Sequence, residues 1–437
     1  MLRTTLLATA ATLTLTVSQL AAQQLAEGFH ATTTPLPAGT NNVLTTATGR
    51  LYFDGFDLMH AVNGSTSQSL LTFASYTFGS FTTAIGATKV LFGESSNGGI
   101  WSVPLNGLAP QLIATVPFNY DAVMLDDDRA LVSAKTGGFA SPDNDVMFVD
   151  LITGQTQLLA QFPGASGPLT VDNTGNVYYA TSPATFPAPT GTVTVLRLTS
   201  TDIDTAIATS TVLGIANAQI VIAGLDAAGD LAFDDDGDLF FVDWLNNRIG
   251  EINDADGNTA TLAPTLIDYA GSGLNGSVLQ FARTTAGPQV FEPFQPVAGE
   301  LMVHETDYVT ISQIRTVMAR SPELTSSAAS PIAAGGFSLA TSNGPANGIG
   351  LLAFAMTASS GPLSIQVPGF EQPLLLDSAL STSPVLVPLT FDATGTATLA
   401  VQNPGFAPVL AATAQAVCFS LSGALGTSQA LLMQIGQ

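Results

Sequence analysis

The sequence predicts an all-β chain: a six-bladed β-propeller over residues 25–320 followed by a small β-sandwich domain over residues 332–437. Three observations predict it. One strand pattern recurs six times at the spacing of propeller blades, each copy is followed by a second alternating strand and a tight turn, and the composition changes after Arg320.

The chain begins with Arg3, an apolar, Thr-rich stretch from Leu6 to Val17, and the small residues Ala21 and Ala22. A positive residue, a short apolar core and small residues in that order read as a secretory signal peptide over residues 1–22. The apolar part is short for a bilayer span, and no cysteine follows it to accept a lipid. The expected location is secreted or extracellular, with the periplasm and the cell surface as variants, and no membrane span remains after cleavage.

From residue 25 onward, a turn former and a Gly lead repeatedly into a burst of β-branched and aromatic residues. The fullest copies are Val171-Asp-Asn-Thr-Gly-Asn-Val-Tyr-Tyr-Ala180 and Phe233-Asp-Asp-Asp-Gly-Asp-Leu-Phe-Phe-Val-Asp243. Aligning Leu51, Val90, Leu131, Val177, Leu239 and Leu301 gives steps of 39, 41, 46, 62 and 62 residues. Second strands follow at 99–105, 145–151, 192–198, 248–252 and 310–314. The pairs Asn106-Gly107, Thr153-Gly154 and Asp256-Gly257 suit tight hairpins, because Gly and Asn accept positive φ at little cost. Six such sheets arranged radially bury both faces of each, which accounts for 46% hydrophobic residues without long helices.

The segment Phe233-Asp-Asp-Asp-Gly-Asp-Leu-Phe-Phe-Val-Asp-Trp-Leu-Asn-Asn-Arg-Ile249 resembles an NHL repeat, in which a strand is followed by Asp, a loop containing Asn, then Arg and Ile. Over about residues 40–318 the chain is similar to six-bladed propellers of the NHL-repeat and SMP-30/gluconolactonase-like type. That resemblance implies a structural ion pair between Asp243 and Arg248. It says little about function, since such propellers include both binders and enzymes.

All ten basic residues lie at or before Arg320, and the last 117 residues contain only Glu323, Glu371, Asp377 and Asp392 as charges. Residues 321–331 are rich in Ser, Ala and Pro and are expected to be a linker, with the boundary near residue 325. Beyond it, about eight short apolar or alternating runs broken by Gly and Pro predict the sandwich, which resembles C-terminal modules of secreted bacterial proteins. Cys418, the sole cysteine, sits in an apolar run and reads as an inert core thiol.

The charge balance excludes some partners. With 33 acidic against 10 basic side chains and a net charge of −23, the chain lacks the Lys and Arg clusters that phosphate contacts need, so no nucleic acid is expected. There is no His-Glu-x-x-His, Cys-x-x-Cys, Gly-x-Ser-x-Gly or Gly-Lys-Ser motif, and only His30, His60 and His304 supply imidazoles. Hard cations prefer oxygen, so the acidic turns are the candidate metal ligands: Asp234, Asp236 and Asp238 in one, Asp254 and Asp256 in another. Calcium is the cofactor they suggest, and solvated hairpin turns are the alternative. His304-Glu305-Thr306-Asp307 is the densest mixed cluster, but strand alternation sends His304 and Thr306 to one face and Glu305 and Asp307 to the other. Trp101 and Trp244 read as blade packing. Long inserts at 181–190, 199–224 and 259–295 are expected to carry recognition.

Two functions follow. The favoured one is a secreted, noncatalytic recognition or scaffold protein that binds an extracellular protein or glycan through propeller loops. The alternative is a calcium-dependent SMP-30-like lactonase or related hydrolase, separable by whether a carboxylate and an asparagine from different blades converge in the tunnel.

Overall fold

The computed structural model describes residues 24–62, 67–138, 140–183, 188–282, 291–294, 299–356, 364–365, 374–375, 385–405, 410–421 and 425–435. The expected signal peptide lies outside the described residues.

The chain is an all-β propeller. After β1 (Gln24–Leu25) and β2 (Phe29–Pro35), four antiparallel meanders follow in sequence. They are β3 (Asn42–Thr46), β4 (Gly49–Phe53), β5 (Asp57–Val62) and β6 (Gln68–Thr72); β7 (Gly79–Ile85), β8 (Lys89–Glu94), β9 (Gly99–Pro104) and β10 (Gln111–Thr115); β11 (Asn119–Asp126), β12 (Arg129–Ala134), β13 (Asp143–Asp150) and β14 (Thr156–Pro163); and β15 (Leu169–Val171), β16 (Val177–Ala180), β17 (Val193–Leu198) and β18 (Gln219–Leu225), with helix α1 (Ser200–Thr209) between the last two. The fifth sheet runs β19 (Leu231–Phe233), β20 (Leu239–Asp243), β21 (Arg248–Asn253), then β22 (Thr261–Leu262) and β23 (Ile267–Asp268), with β1 beyond β23. The sixth holds β24 (Asn275–Ala282), β25 (Glu300–Thr306) and β26 (Ser312–Ala319), with β2 as its outer strand.

The first strands form the ring: β3 meets β7, β7 meets β11, and the series continues through β15, β19 and β24 back to β3. A separate apolar core fills each gap. Leu51, Phe53, Val90 and Phe92 join sheets one and two; Phe81, Leu91, Val132 and Val149 join two and three; Leu159, Phe162, Tyr179 and Leu196 join three and four. Tyr178, Val195, Leu239 and Phe241 join four and five; Phe240, Ile249, Leu301 and Val317 join five and six; Val43, Met302 and Ile314 close the ring. Second strands such as β20 are therefore buried on both faces, so their residues read as continuous apolar runs and not as alternation.

The N-terminal segment supplies the strand that closes the ring. Phe29–Pro35 pairs with β26 from Phe29↔Ala319 to Pro35↔Gln313, so the sixth blade is completed by the start of the chain. Closing the ring this way covers β26 and makes β2 the outer edge of that sheet.

The expected linker at 321–331 is corrected. Glu323–Ser326 is a strand paired with Ser342 to Leu339, and Leu324 is buried, so residues assigned to a linker by their Ser and Pro content belong to the C-terminal sheet. That sheet also contains Gly335–Ser342 and Ala397–Asn403. A second sheet places Val385–Thr390, Ile349–Met356 and Leu410–Phe419 side by side, with Leu425–Thr427 and Leu431–Ile435 on the far edge. Leu339, Leu352, Phe391, Ala416 and Cys418 form their shared core. Burial pushes the Cys418 thiol up to about 12, which keeps it protonated. Among the described residues, no helix is long and apolar enough to cross a membrane.

Candidate functional site

In an antiparallel meander, the connections into the first strand and between the second and third strands lie on one face of the ring, and the remaining connections lie on the other. This sorts the surface chemistry. The exposed aromatics Phe56, Tyr76, Phe78, Phe118, Tyr120, Trp244 and Tyr308 all fall on the first face. The acidic turns at 126–128, 172–176, 234–238 and 254–258 fall on the second.

A cavity of about 520 Å³ runs along the first strands through the centre of the ring. Near the aromatic face its wall includes Asn41, Asn42, Ser80, Tyr120, Asp121, Asp230 and Ser277; at the far end it includes Asn173, Asp234 and Asp235. Asp121 and Asp230 occupy matching positions two blades apart. Each accepts the N–H of the following residue, Ala122 at 2.7 Å and Leu231 at 2.9 Å, and each accepts an N–H from the next blade, Leu169 and Leu279, both at 2.6 Å. The Tyr120 hydroxyl crosses from the third blade to donate to the Gly229 carbonyl of the fifth at 2.7 Å. The surface that Asp121 and Asp230 still expose faces the cavity, not bulk water. Desolvation accordingly raises both carboxyls, opposed by their backbone N–H bonds, and Asp121 adds a like-charge push on Asp230. Across the ring, Asn42 is 3% exposed and its Oδ1 has no partner among the described residues; both amide atoms of Asn41 are likewise buried and unpartnered.

These residues were missed by the sequence reading, which aligned the repeats on their second strands. The available signal was an Asp near the start of the first strand, inside β11 in Tyr120-Asp121-Ala122 and just before β19 in Gly229-Asp230-Leu231.

The acidic turns behave differently from one another. Asp234, Asp236 and Asp238 bring ligand atoms within 4.8 Å of one another, and Asp238 shares a second such group with Glu251 and Glu292. Asp234 Oδ1 accepts the N–H groups of Asp236, Gly237 and Asp238, which shapes the turn, and Gly237 takes φ +100°. Asp254 and Asp256, expected as ligands, stand outside both groups. The Asp254 carboxylate accepts from Thr259, its N–H donates to Asp238, and the Asp256 carboxylate lies against Gly237. The donor set is all oxygen and from three segments, which fits a hard cation such as calcium.

Burial, reinforced by neighbouring carboxylates, raises Asp234, takes Asp238 up to about 6 and takes Glu251 up to about 9. A raised carboxyl contributes its stability below the ordinary carboxylate range and loses it as pH climbs through the folded value. His304 acts in the opposite sense: burial lowers it to about 4, so its contribution is complete above about 6.5 and is lost on acidification. Between pH 6.5 and 9 the carboxylates therefore govern. The melting temperature in chelator is expected to fall across that window, millimolar calcium to restore it, and Asp238→Asn to flatten both responses. A flat wild-type profile with no calcium response would remove the cation site.

The remaining candidates are structural. Asp243 and Arg248 pair at 2.8 Å, with Asn246 also donating to Asp243. Glu305 pairs with Arg315 and accepts from Gln313, while His304 turns to the opposite face between the hydroxyls of Ser277 at 2.7 Å and Ser312 at 2.8 Å, so the two do not share a ligand group among the described residues. Trp101 packs edge-on against Phe73, whereas Trp244 is exposed. The insert at 199–224 is packed, not free: α1 buries Ile203 and Ala206 against Leu159 and Phe162.

No family model and no curated protein matches the chain. Solved structures that resemble it are propellers. Virginiamycin B lyase from Staphylococcus aureus is 11% identical, with 67% of this chain and 100% of that chain covered at a TM-score of 0.41. PorZ from Porphyromonas gingivalis, described as a surface component of the type-IX secretion system, is 10% identical over 90% of this chain and 51% of its own, also at 0.41. The WD40 propeller domain of Doa1 is 10% identical over 69% and 98%, at 0.35. At these scores they carry no argument about chemistry, and the fold rests on the ring of sheets itself.

Proposed function

We propose that this chain is an exported binding protein that holds a small polar ligand in the central cavity, entered from the aromatic face, and does not turn it over. The carrying observation is the convergence of Asp121, Asp230 and the Asn41 and Asn42 amides from three blades on one cavity. Its volume is in the range of small-molecule sites. The nearest thing to a nucleophile in the wall is Ser277, whose partner His304 lies behind the wall, and an imidazole lowered to about 4 is a weak base at neutral pH. The exposed aromatics on that face suit a glycan or protein partner that presents the ligand, and we read the C-terminal sheets as an accessory sandwich module.

The same convergence also favours the second reading, a calcium-dependent lactonase or related hydrolase, because carboxylates and asparagines from different blades meet as the SMP-30-like resemblance implies. A panel of lactones, phosphoesters and glycosides with calcium present separates the two. Saturable ligand binding with no turnover is expected; turnover abolished by Asp230→Asn would promote the hydrolase.

A further inference from the structure

The central cavity carries carboxylates and no cationic side chain. None of its lining residues is Lys, Arg or His, and the Tyr120 hydroxyl is already committed to Gly229. Acceptors come from alternate blades: Asn42 from the first, Asp121 from the third and Asp230 from the fifth. The blades between them contribute Phe81, Leu169 and Val278 to the same end of the cavity. Alternate blades of a six-membered ring stand about 120° apart, which presents three acceptors around one axis. A primary ammonium group offers three N–H donors with that same threefold symmetry.

Two further features distinguish an organic cation from a bare metal ion. A volume of about 520 Å³ is far more than one ion fills, and the apolar wall would gain nothing from a hydrated ion but would cover a hydrocarbon body. Asn42 Oδ1 is buried with no hydrogen-bond partner among the described residues, and leaving such a group unmatched is costly unless a ligand completes it.

We propose that the central cavity binds a primary organic amine, its ammonium group held among Asp121, Asp230 and the Asn42 amide oxygen and its hydrocarbon part lying along the apolar wall. The proposal rests on the reading of the cavity as the ligand site and names the chemical class of that ligand.

The test is calorimetric titration of the full chain at pH 7.5 with n-butylamine, with n-butanol as an uncharged match, glucose as a neutral polyol and calcium chloride as the metal. Saturable binding of butylamine with none of butanol is expected, and Asp121→Asn and Asp230→Asn should each weaken it at least tenfold; each Asn keeps an oxygen for only one of the two backbone N–H groups that the two carboxylate oxygens accept. Thermal melts of both variants report whether they fold, and Asn42→Ala, which leaves both carboxylates in place, provides an independent weakening. Butanol or glucose binding in place of butylamine overturns the amine while leaving the cavity as a ligand site. Calcium binding that is lost in both Asp variants, with no amine binding, overturns it in favour of a metal. No binding by any probe overturns the amine and the cavity reading together.

Discussion

Removing residues 24–35 is expected to abolish cooperative unfolding, because the ring then lacks the strand that completes its sixth blade. β2 occupies the whole length of β26 and brings Phe29, 5% exposed, against Phe291 at 5.0 Å and into the core with Val317 and Ala319. Without it, β26 becomes a long unpaired edge and the core between the fifth and sixth blades opens. The single substitution Phe29→Ala isolates the packing part and should cost about 3–5 kcal/mol, the range for deleting a buried aromatic side chain. Urea unfolding followed by circular dichroism measures both. A truncated chain starting at Leu36 that unfolds like the full-length protein would mean the ring closes without β2.

Arg315→Leu is expected to cost about 3–5 kcal/mol, as removing one partner of a buried ion pair does. The Glu305 carboxylate is completely buried on β25, and the Arg315 side chain, 14% exposed, neutralises it from β26. The Gln313 amide at 2.7 Å remains after the substitution but brings no charge. Adding Glu305→Gln to Arg315→Leu should recover much of the loss, since the double variant no longer buries an uncompensated charge; the cycle is measured by the same urea unfolding. A single-variant cost below about 1 kcal/mol would show the pair to be solvated in solution.

The blades were legible because their determinants are local. Val171 to Ala180 and Phe233 to Asp243 carry the turn, the glycine and the buried strand within about a dozen residues, and Asp243 and Arg248 pair across one hairpin. β2 was illegible for the opposite reason. His30 to Pro35 is mostly exposed and polar, with no apolar alternation to announce a strand, and its partner β26 lies at the far end of the propeller. Leu324 shows the same limit at the junction: one buried leucine among Ser, Thr and Pro turns an apparent linker into an edge strand once Thr341 is there to pair with it.

The candidate sites divide along that line. Alternate carboxylates at 234, 236 and 238 could be read directly, because a single tight turn points them at one another. Glu251 and Glu292, which join Asp238, and Asp254 and Asp256, which stand outside both groups, could not be sorted by spacing. Asp121 and Asp230 are the extreme case: each is one ordinary acidic residue near the start of a first strand, and only closure of the ring sets them in a common cavity with Asn42. By itself the sequence determined the strands, their turns, the acidic balance and the repeat that makes a propeller, all properties of short stretches governed by side-chain alternation and turn chemistry. The tertiary structure alone decided which strand closes the ring, which acids share a site and what faces the cavity, because those follow from how six separately folded sheets pack around one axis.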